Sequence, residues 1–195
     1  HSTPLLISTD GSNDTNQNLT VYNQSTADAD NDDVKNIYDW KVNGTSISIY
    51  DIPMEALGGN ENILTYDYSG ENAELDVFGA SWNSTAGYDG WGAYEFDGTG
   101  NYIEDIDQTG AVLNGLDELT LSVWVKSDVT DTNKGIIFAK TPDGTDSSIG
   151  IRYDSSGASG GGTNLIKTGV TVDGVDVQLE SSNNTQTTDW QHLVL

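Results

Sequence analysis

Between Leu119 and Lys126 the chain reads Leu-Thr-Leu-Ser-Val-Trp-Val-Lys, apolar at every second position. A period of two puts Leu119, Leu121, Val123 and Val125 on one face. It puts Thr120, Ser122, Trp124 and Lys126 on the other. Only an extended strand lying on a core uses that pattern, so the segment commits its neighbourhood to β structure. Further candidate strands stand at Pro4–Ser8, a short apolar run, and at Leu19–Tyr22, Lys35–Val42, Thr45–Ile52, Ile63–Tyr68, Leu75–Phe78, Tyr94–Phe96 and Asn101–Ile106. They continue at Gly135–Lys140, Ile149–Tyr153, Val170–Val172, Val175–Leu179 and Trp190–Leu195. Asn43-Gly44, Asp97-Gly98 and Asp173-Gly174 are turn dipeptides that tolerate positive φ. Gly157 to Gly162 reads as a surface loop. No segment carries a helical period. Many short strands separated by Gly, Asn and Asp predict an all-β antiparallel sandwich.

The length of 195 residues suits one large sandwich or two small domains. Apolar residues make up only 35%, but five Trp and nine Tyr supply large buried areas. Seven basic residues against 31 acidic ones give a net charge of −24. Nucleic acid and anionic membranes are therefore poor partners, because phosphate binding needs Lys and Arg patches. Three readings suit the acid excess: a solvated surface in a salty or secreted setting, calcium held by carboxylate and carbonyl oxygens, or a basic partner. No apolar run reaches the roughly 18 residues of a membrane helix. The absence of cysteine excludes disulfides and leaves the compartment open. The start at His1, without Met, reads as a mature end left by signal cleavage, so the expected location is secreted, extracellular or cell-surface. Asn-x-Ser/Thr acceptors stand at Asn13, Asn18, Asn23, Asn43, Asn83 and Asn183, and four of these six precede residue 46.

The stretch from Trp82 to Ile103 contains Gly92-Ala-Tyr-Glu-Phe-Asp-Gly-Thr-Gly-Asn-Tyr-Ile103. It is similar to the G-x-A-x-x-F-D-G-x-x-x-Y-I/V pattern of the laminin-G-like concanavalin family. Leu119 to Lys126 resembles that family's T-x-S-x-W-V-K strand, and Trp190-Gln-His-Leu-Val194 resembles its W-x-H-V/L-V strand. Asp67-Tyr-Ser-Gly-Glu-Asn72 is similar to its D-x-S-G-N-x-N turn, with Glu71 in place of Asn. The resemblance covers residues 47 to 195 and implies a jelly roll. Residues 1 to 46 resemble the Ig-like segment that precedes such modules in prokaryotic surface proteins, through Asn18-Leu-Thr, Asp28-Ala-Asp and Tyr38–Gly44. An Ig sandwich takes about seven strands, and only three or four are legible here. The jelly-roll family continues for several strands past the Trp190 strand. The expectation is thus a sandwich finished either by a longer chain or by strands of neighbouring chains, as in a homo-oligomer or polymer.

Calcium is the expected cofactor. Asp28, Asp30 and Asp32 have the 1-3-5 spacing of a calcium loop and Asp39 stands at its twelfth position, but Asp33 replaces the glycine such a loop needs at its sixth. The family resemblance implies a second site at Asp67 and Asn72. Trp82, Tyr88, Trp91 and Tyr102 near loops are candidates for stacking on glycans, against packing in the core. Catalysis is not expected. Glycosidases need two carboxyls about 5 to 10 Å apart, and Asp105 and Asp107 share a face without the third acid of the family's E-x-D-x-x-E. A nucleophilic triad would need His192, which reads as a structural residue among apolar neighbours. The sequence therefore predicts a non-catalytic structural subunit of an extracellular filament, sheath or surface layer. The alternative is an adhesion module that binds glycans or proteins.

Overall fold

The computed structural model describes residues 2–12, 14–56, 60, 62–105, 116–140, 148–156, 162–172 and 174–195. His1, Asn13, Ile106, Asp107, Asp173 and the loop 157–161 lie outside that set. The described residues form strands, turns and irregular chain, with no helix long and apolar enough to cross a membrane. The fold is all-β with every pairing antiparallel, as the alternation requires. The chain divides into two units, His1–Ile47 and Ser48–Leu195.

In the first unit β1 (Leu5–Ser8) pairs with β2 (Leu19–Tyr22), and β3 (Lys41–Val42) with β4 (Thr45–Ser46). Asn43 and Gly44 turn the second hairpin with φ of 52° and 85°, the left-handed pair that a tight hairpin wants. The expected longer strands over 35–42 and 45–52 shrink to two residues each. Val42 and Ile47 are exposed, and a two-stranded ribbon without a face to bury holds little length.

In the second unit β5 (Leu64–Tyr66), β6 (Glu74–Phe78) and β9 (Tyr102–Glu104) form one sheet, with β6 in the middle. Between them in sequence, β7 (Ser81–Asn83) and β8 (Ala93–Glu95) form a hairpin. Val77, Ala80 and Tyr94 make a buried cluster against which Met54, Trp82 and Ile103 pack. β10 (Ser122–Val125) pairs with β15 (Gln191–Val194). A four-stranded meander follows the order β11 (Lys134–Lys140), β12 (Ser148–Asp154), β13 (Leu165–Val172), β14 (Val175–Glu180).

The second core lies between these last two sheets. Ile151, Tyr153 and Ile166 of the meander are buried against Leu121, Val123, Val125, Leu193 and Leu195. The period-two reading of 119–126 thus points Leu121, Val123 and Val125 inward and Ser122 and Trp124 outward. A register shift between Gly135 and Ile137 brings Ile136 onto the same core. β13 starts five residues earlier than the alternation indicates. Leu165 and Ile166, which point to opposite faces, are both buried, as is Lys167, which pairs with Glu180 at 3.6 Å. Burial on both faces erases alternation from the sequence.

Candidate functional site

The outward face of the β10–β15 pair carries a group of stacked aromatic side chains and a histidine. Register sets Trp124 opposite His192 and Ser122 opposite Val194. The Trp124 and His192 rings stack at 4.8 Å with a 17° tilt. Tyr88, from the loop joining β7 to β8, lies on Trp124 with ring centres 3.5 Å apart, and meets Trp190 edge-on at 6.3 Å. Such ring pairs contribute about 0.5–1.5 kcal/mol beyond buried area, enough to pin the loop to the sheet. Tyr88 and Trp124 nevertheless remain 56% and 42% exposed, so part of the stack meets solvent. The Ser122 hydroxyl and His192 Nε2 are 2.8 Å apart. Among the described residues no carboxylate hydrogen-bonds His192. His192 is exposed, with its ring stacked on Trp124 and its Nε2 engaged by Ser122.

Of the four aromatics chosen from the sequence, Tyr88 belongs to this stack. Trp82 does not: its indole N–H donates to the Met54 carbonyl at 3.2 Å, and its ring packs on the Val77–Tyr94 cluster. Tyr102 is exposed and stacks on its cross-strand partner Phe78 at 4.6 Å. Trp91 is half-buried, and its backbone N–H donates to Asp89 at 3.1 Å. Trp124, Trp190 and His192 were legible as strand residues but not as site residues. The available signal was a tryptophan on the face opposite Leu121, Val123 and Val125.

Asp28, Asp30 and Asp32 converge: one carboxylate oxygen of each lies within 4.8 Å of the others, and all three are exposed. Hydrogen bonding from the Asp30 side chain, and next from its N–H at 3.0 Å, holds the Asp28 carboxyl below the usual carboxylate range. The donor set suits a hard cation with 6–8 oxygen ligands, the remainder being carbonyl or water. Asp39 is not in the group. Its carboxylate accepts from the Ser46 hydroxyl at 2.6 Å and pairs with Lys41 at 3.2 Å. The Ser46 bond is the main reason that its pKa is lowered, with Lys41 second.

The Asp67–Asn72 turn does not fit a cation. Asp67 is 4% exposed, and one carboxylate oxygen accepts from the N–H groups of Asp51 (2.7 Å) and Ser69 (2.9 Å). The other accepts from the Ser69 hydroxyl (2.5 Å) and the Ala73 N–H (3.4 Å). Four donors occupy the lone pairs a metal would need. Asn72 has φ of 51° and donates its side-chain N–H to the Gly70 carbonyl, closing the turn. Asp67 is the staple of this turn.

Asp105, one of the two aligned acids, accepts the Tyr50 hydroxyl at 2.9 Å. Burial first, and this bond second, push the Tyr50 pKa well up. Among the acceptor asparagines, Asn18, Asn23, Asn43, Asn83 and Asn183 are exposed. The Asn83 amide nitrogen donates to Glu95 at 2.8 Å, and the Asn23 oxygen accepts the Tyr38 hydroxyl. Asn183 accepts from the Thr163 N–H at 3.1 Å.

The remaining feature is the meander's inner face. Register aligns Ile151 with Thr168 and Leu179, and Ile149 with Val170 and Val177. Directly opposed residues share a face, so Val175, Val177 and Leu179 stand on the same side as the core. They are nonetheless 66%, 62% and 62% exposed. Among the described residues the β10–β15 pair packs on the Ile151–Tyr153–Ile166 part of this face, and β14, at the sheet edge, keeps its apolar side chains exposed.

Comparison with known proteins finds no matching family, no matching curated protein and no matching solved structure.

Proposed function

We propose that this chain is a non-catalytic structural subunit of a secreted, extracellular or cell-surface assembly, a filament, sheath or surface layer built by β-strand contacts between neighbouring chains. In this reading residues 47–195 belong to a laminin-G/concanavalin-like jelly roll that is incomplete at its C-terminal end. The observation that carries it is the uncovered strip Val175, Val177 and Leu179 on an edge strand, in register with a buried core. Covering three such side chains, each now about two-thirds exposed, is worth about 4 kcal/mol. A long apolar edge left bare is a template for pairing with another chain. The charge of −24 agrees with a solvated surface material and disfavours nucleic acid and anionic membranes as partners. Calcium enters as a bridge at Asp28, Asp30 and Asp32, where exposed carboxylates can share an ion with a neighbour.

A second reading, an adhesion module for glycans, is favoured by the Tyr88–Trp124–His192 stack, whose exposed aromatic surface suits the C–H face of a sugar. Sedimentation and electron microscopy of the chain separate the two. Association that grows with concentration, and polymers on the grid, are expected of the first. A monomer at every concentration, with binding to a glycan array, overturns it in favour of the second.

A further inference from the structure

We infer that the neighbour on β14 is a second copy of this chain, paired antiparallel edge to edge about a two-fold axis at Val177. This rests on the strand-contact reading above and specifies its partner and register.

The hydrogen-bond phase of β14 decides which backbone groups face outward. The Ser181 N–H donates to the Ile166 carbonyl at 2.9 Å, continuing the ladder one step past the Lys167–Glu180 pair. In an antiparallel ladder bonded and non-bonded pairs alternate. Residues 175, 177, 179 and 181 therefore bond to β13, and the N–H and C=O groups of Asp176 and Gln178 point to the open side. Those groups have no partner among the described residues. Edge strands are commonly blunted by proline, lysine or a bulge. β14 reads Val-Asp-Val-Gln-Leu-Glu and pairs with β13 in unbroken register.

Charge and strand overlap together select the register: axes at 175 or 179 also keep the acids apart but pair only one or three residues of β14 with its copy. An axis at residue 176 sets Asp176 against the partner's Asp176. An axis at 178 sets Asp176 against the partner's Glu180, twice. Parallel pairing in register stacks each acid on its own copy. An axis at Val177 sets Asp176 against the partner's Gln178 on both sides, and Glu180 against the partner's Gly174. Val177 then meets the partner's Val177, and Val175 meets the partner's Leu179. This register avoids acid-on-acid contacts, which destabilise a sheet, and engages the outward groups of Asp176 and Gln178 as bonded pairs. It also joins the two apolar strips on one side of the enlarged sheet. Two bodies of charge −24 repel at long range, so the pairing strengthens as salt screens them.

The chain is free of cysteine, so single cysteines report the register in the full chain. Val177 becomes the central non-bonded pair, with Cα atoms about 4.5 Å apart, inside disulfide range. Under mild oxidation Val177→Cys is expected to give a linked dimer as the dominant product. Gln178→Cys alone is expected to stay monomeric, but to link when mixed with Asp176→Cys. Gln178→Pro is expected to abolish association in sedimentation while leaving the circular dichroism and melting of the chain unchanged, because that N–H faces away from β13. Linkage strongest at Gln178→Cys, or association that survives Gln178→Pro, overturns this register and leaves the strand-contact reading standing. A wild-type chain that stays monomeric at all concentrations and salt levels overturns both.

Discussion

Replacing Asp67 by alanine tests whether its carboxylate staples the turn or awaits a cation. The side chain is 4% exposed and accepts from the N–H groups of Asp51, Ser69 and Ala73 and from the Ser69 hydroxyl. The Ala73 contact at 3.4 Å is the weakest, and the Ser69 hydroxyl also donates to the Ile49 carbonyl at 2.8 Å. The cost therefore centres on the two short N–H bonds of Asp51 and Ser69. A buried donor left without its partner costs about 1–3 kcal/mol. Two such donors, together with the cavity left by the carboxyl, put Asp67→Ala at about 3–5 kcal/mol. For a unit of this size that lowers Tm by about 10 °C. Urea unfolding is the assay: the midpoint falls while the slope stays constant, because the exposed area is unchanged. Asp67→Asn keeps the shape and loses the charge, and is expected to fall between wild type and alanine. A cost below about 1 kcal/mol, less than one unsatisfied donor, refutes the staple. So does a wild-type midpoint that climbs with added calcium and a variant midpoint that does not, since that marks Asp67 as a ligand.

Three further outcomes follow from the geometry. At Gly92 an added Cβ lies 2.5 Å from the Trp82 indole nitrogen and 2.5 Å from Glu55, so Gly92→Ala is expected to cost about 1–3 kcal/mol, read from urea midpoints with a shift in tryptophan emission. Tyr50 has its pKa raised in the folded chain, so the stability it contributes is complete below the ordinary tyrosine value and is lost progressively as pH rises from there through the higher folded value. Unfolding midpoints should fall above about pH 10, and less steeply in Tyr50→Phe; Tyr153, raised by burial, retains part of the slope. Asp76 and Glu104 are directly opposed on β6 and β9, so Glu104→Gln should stabilise by about 0.2–1 kcal/mol at low salt, with the gain shrinking as salt is added.

What the sequence revealed depended on how many faces of a strand are buried. Where one face is covered and the other open, as at Leu121, Val123 and Val125, alternation located both strand and core. At Leu165–Lys167 both faces are covered, the alternation vanishes, and half the strand was invisible. At Tyr38–Val42 the opposite failure occurs: the alternation is present, but no strand is formed before Lys41, because pattern alone does not supply a partner. Sites follow the same logic. The convergence of Asp28, Asp30 and Asp32 is local and was legible from spacing. The exclusion of Asp39 depends on Ser46 and Lys41, and that of Asp67 on Asp51 and Ala73. Spacing says nothing about which donors reach a carboxylate first.

The uncovered strip on β14 joins these strands of argument. Its alternation is as regular as that of β10, and from sequence the two are alike: apolar on one face, polar on the other. In space one faces a core and the other faces water. The difference lies in what stands opposite: β10 and β15 span only part of the floor that β11 to β14 present. Alternation is thus a statement about what a strand is built to bury, not about what it has buried. In the proposed pairing a second copy covers Val175, Val177 and Leu179, and Asp176 and Glu180 restrict how it does so. The proposed register depends on Gln178: a chain with 31 acidic residues carries an uncharged side chain there, and an acid at 178 would set a like charge against the partner's Asp176.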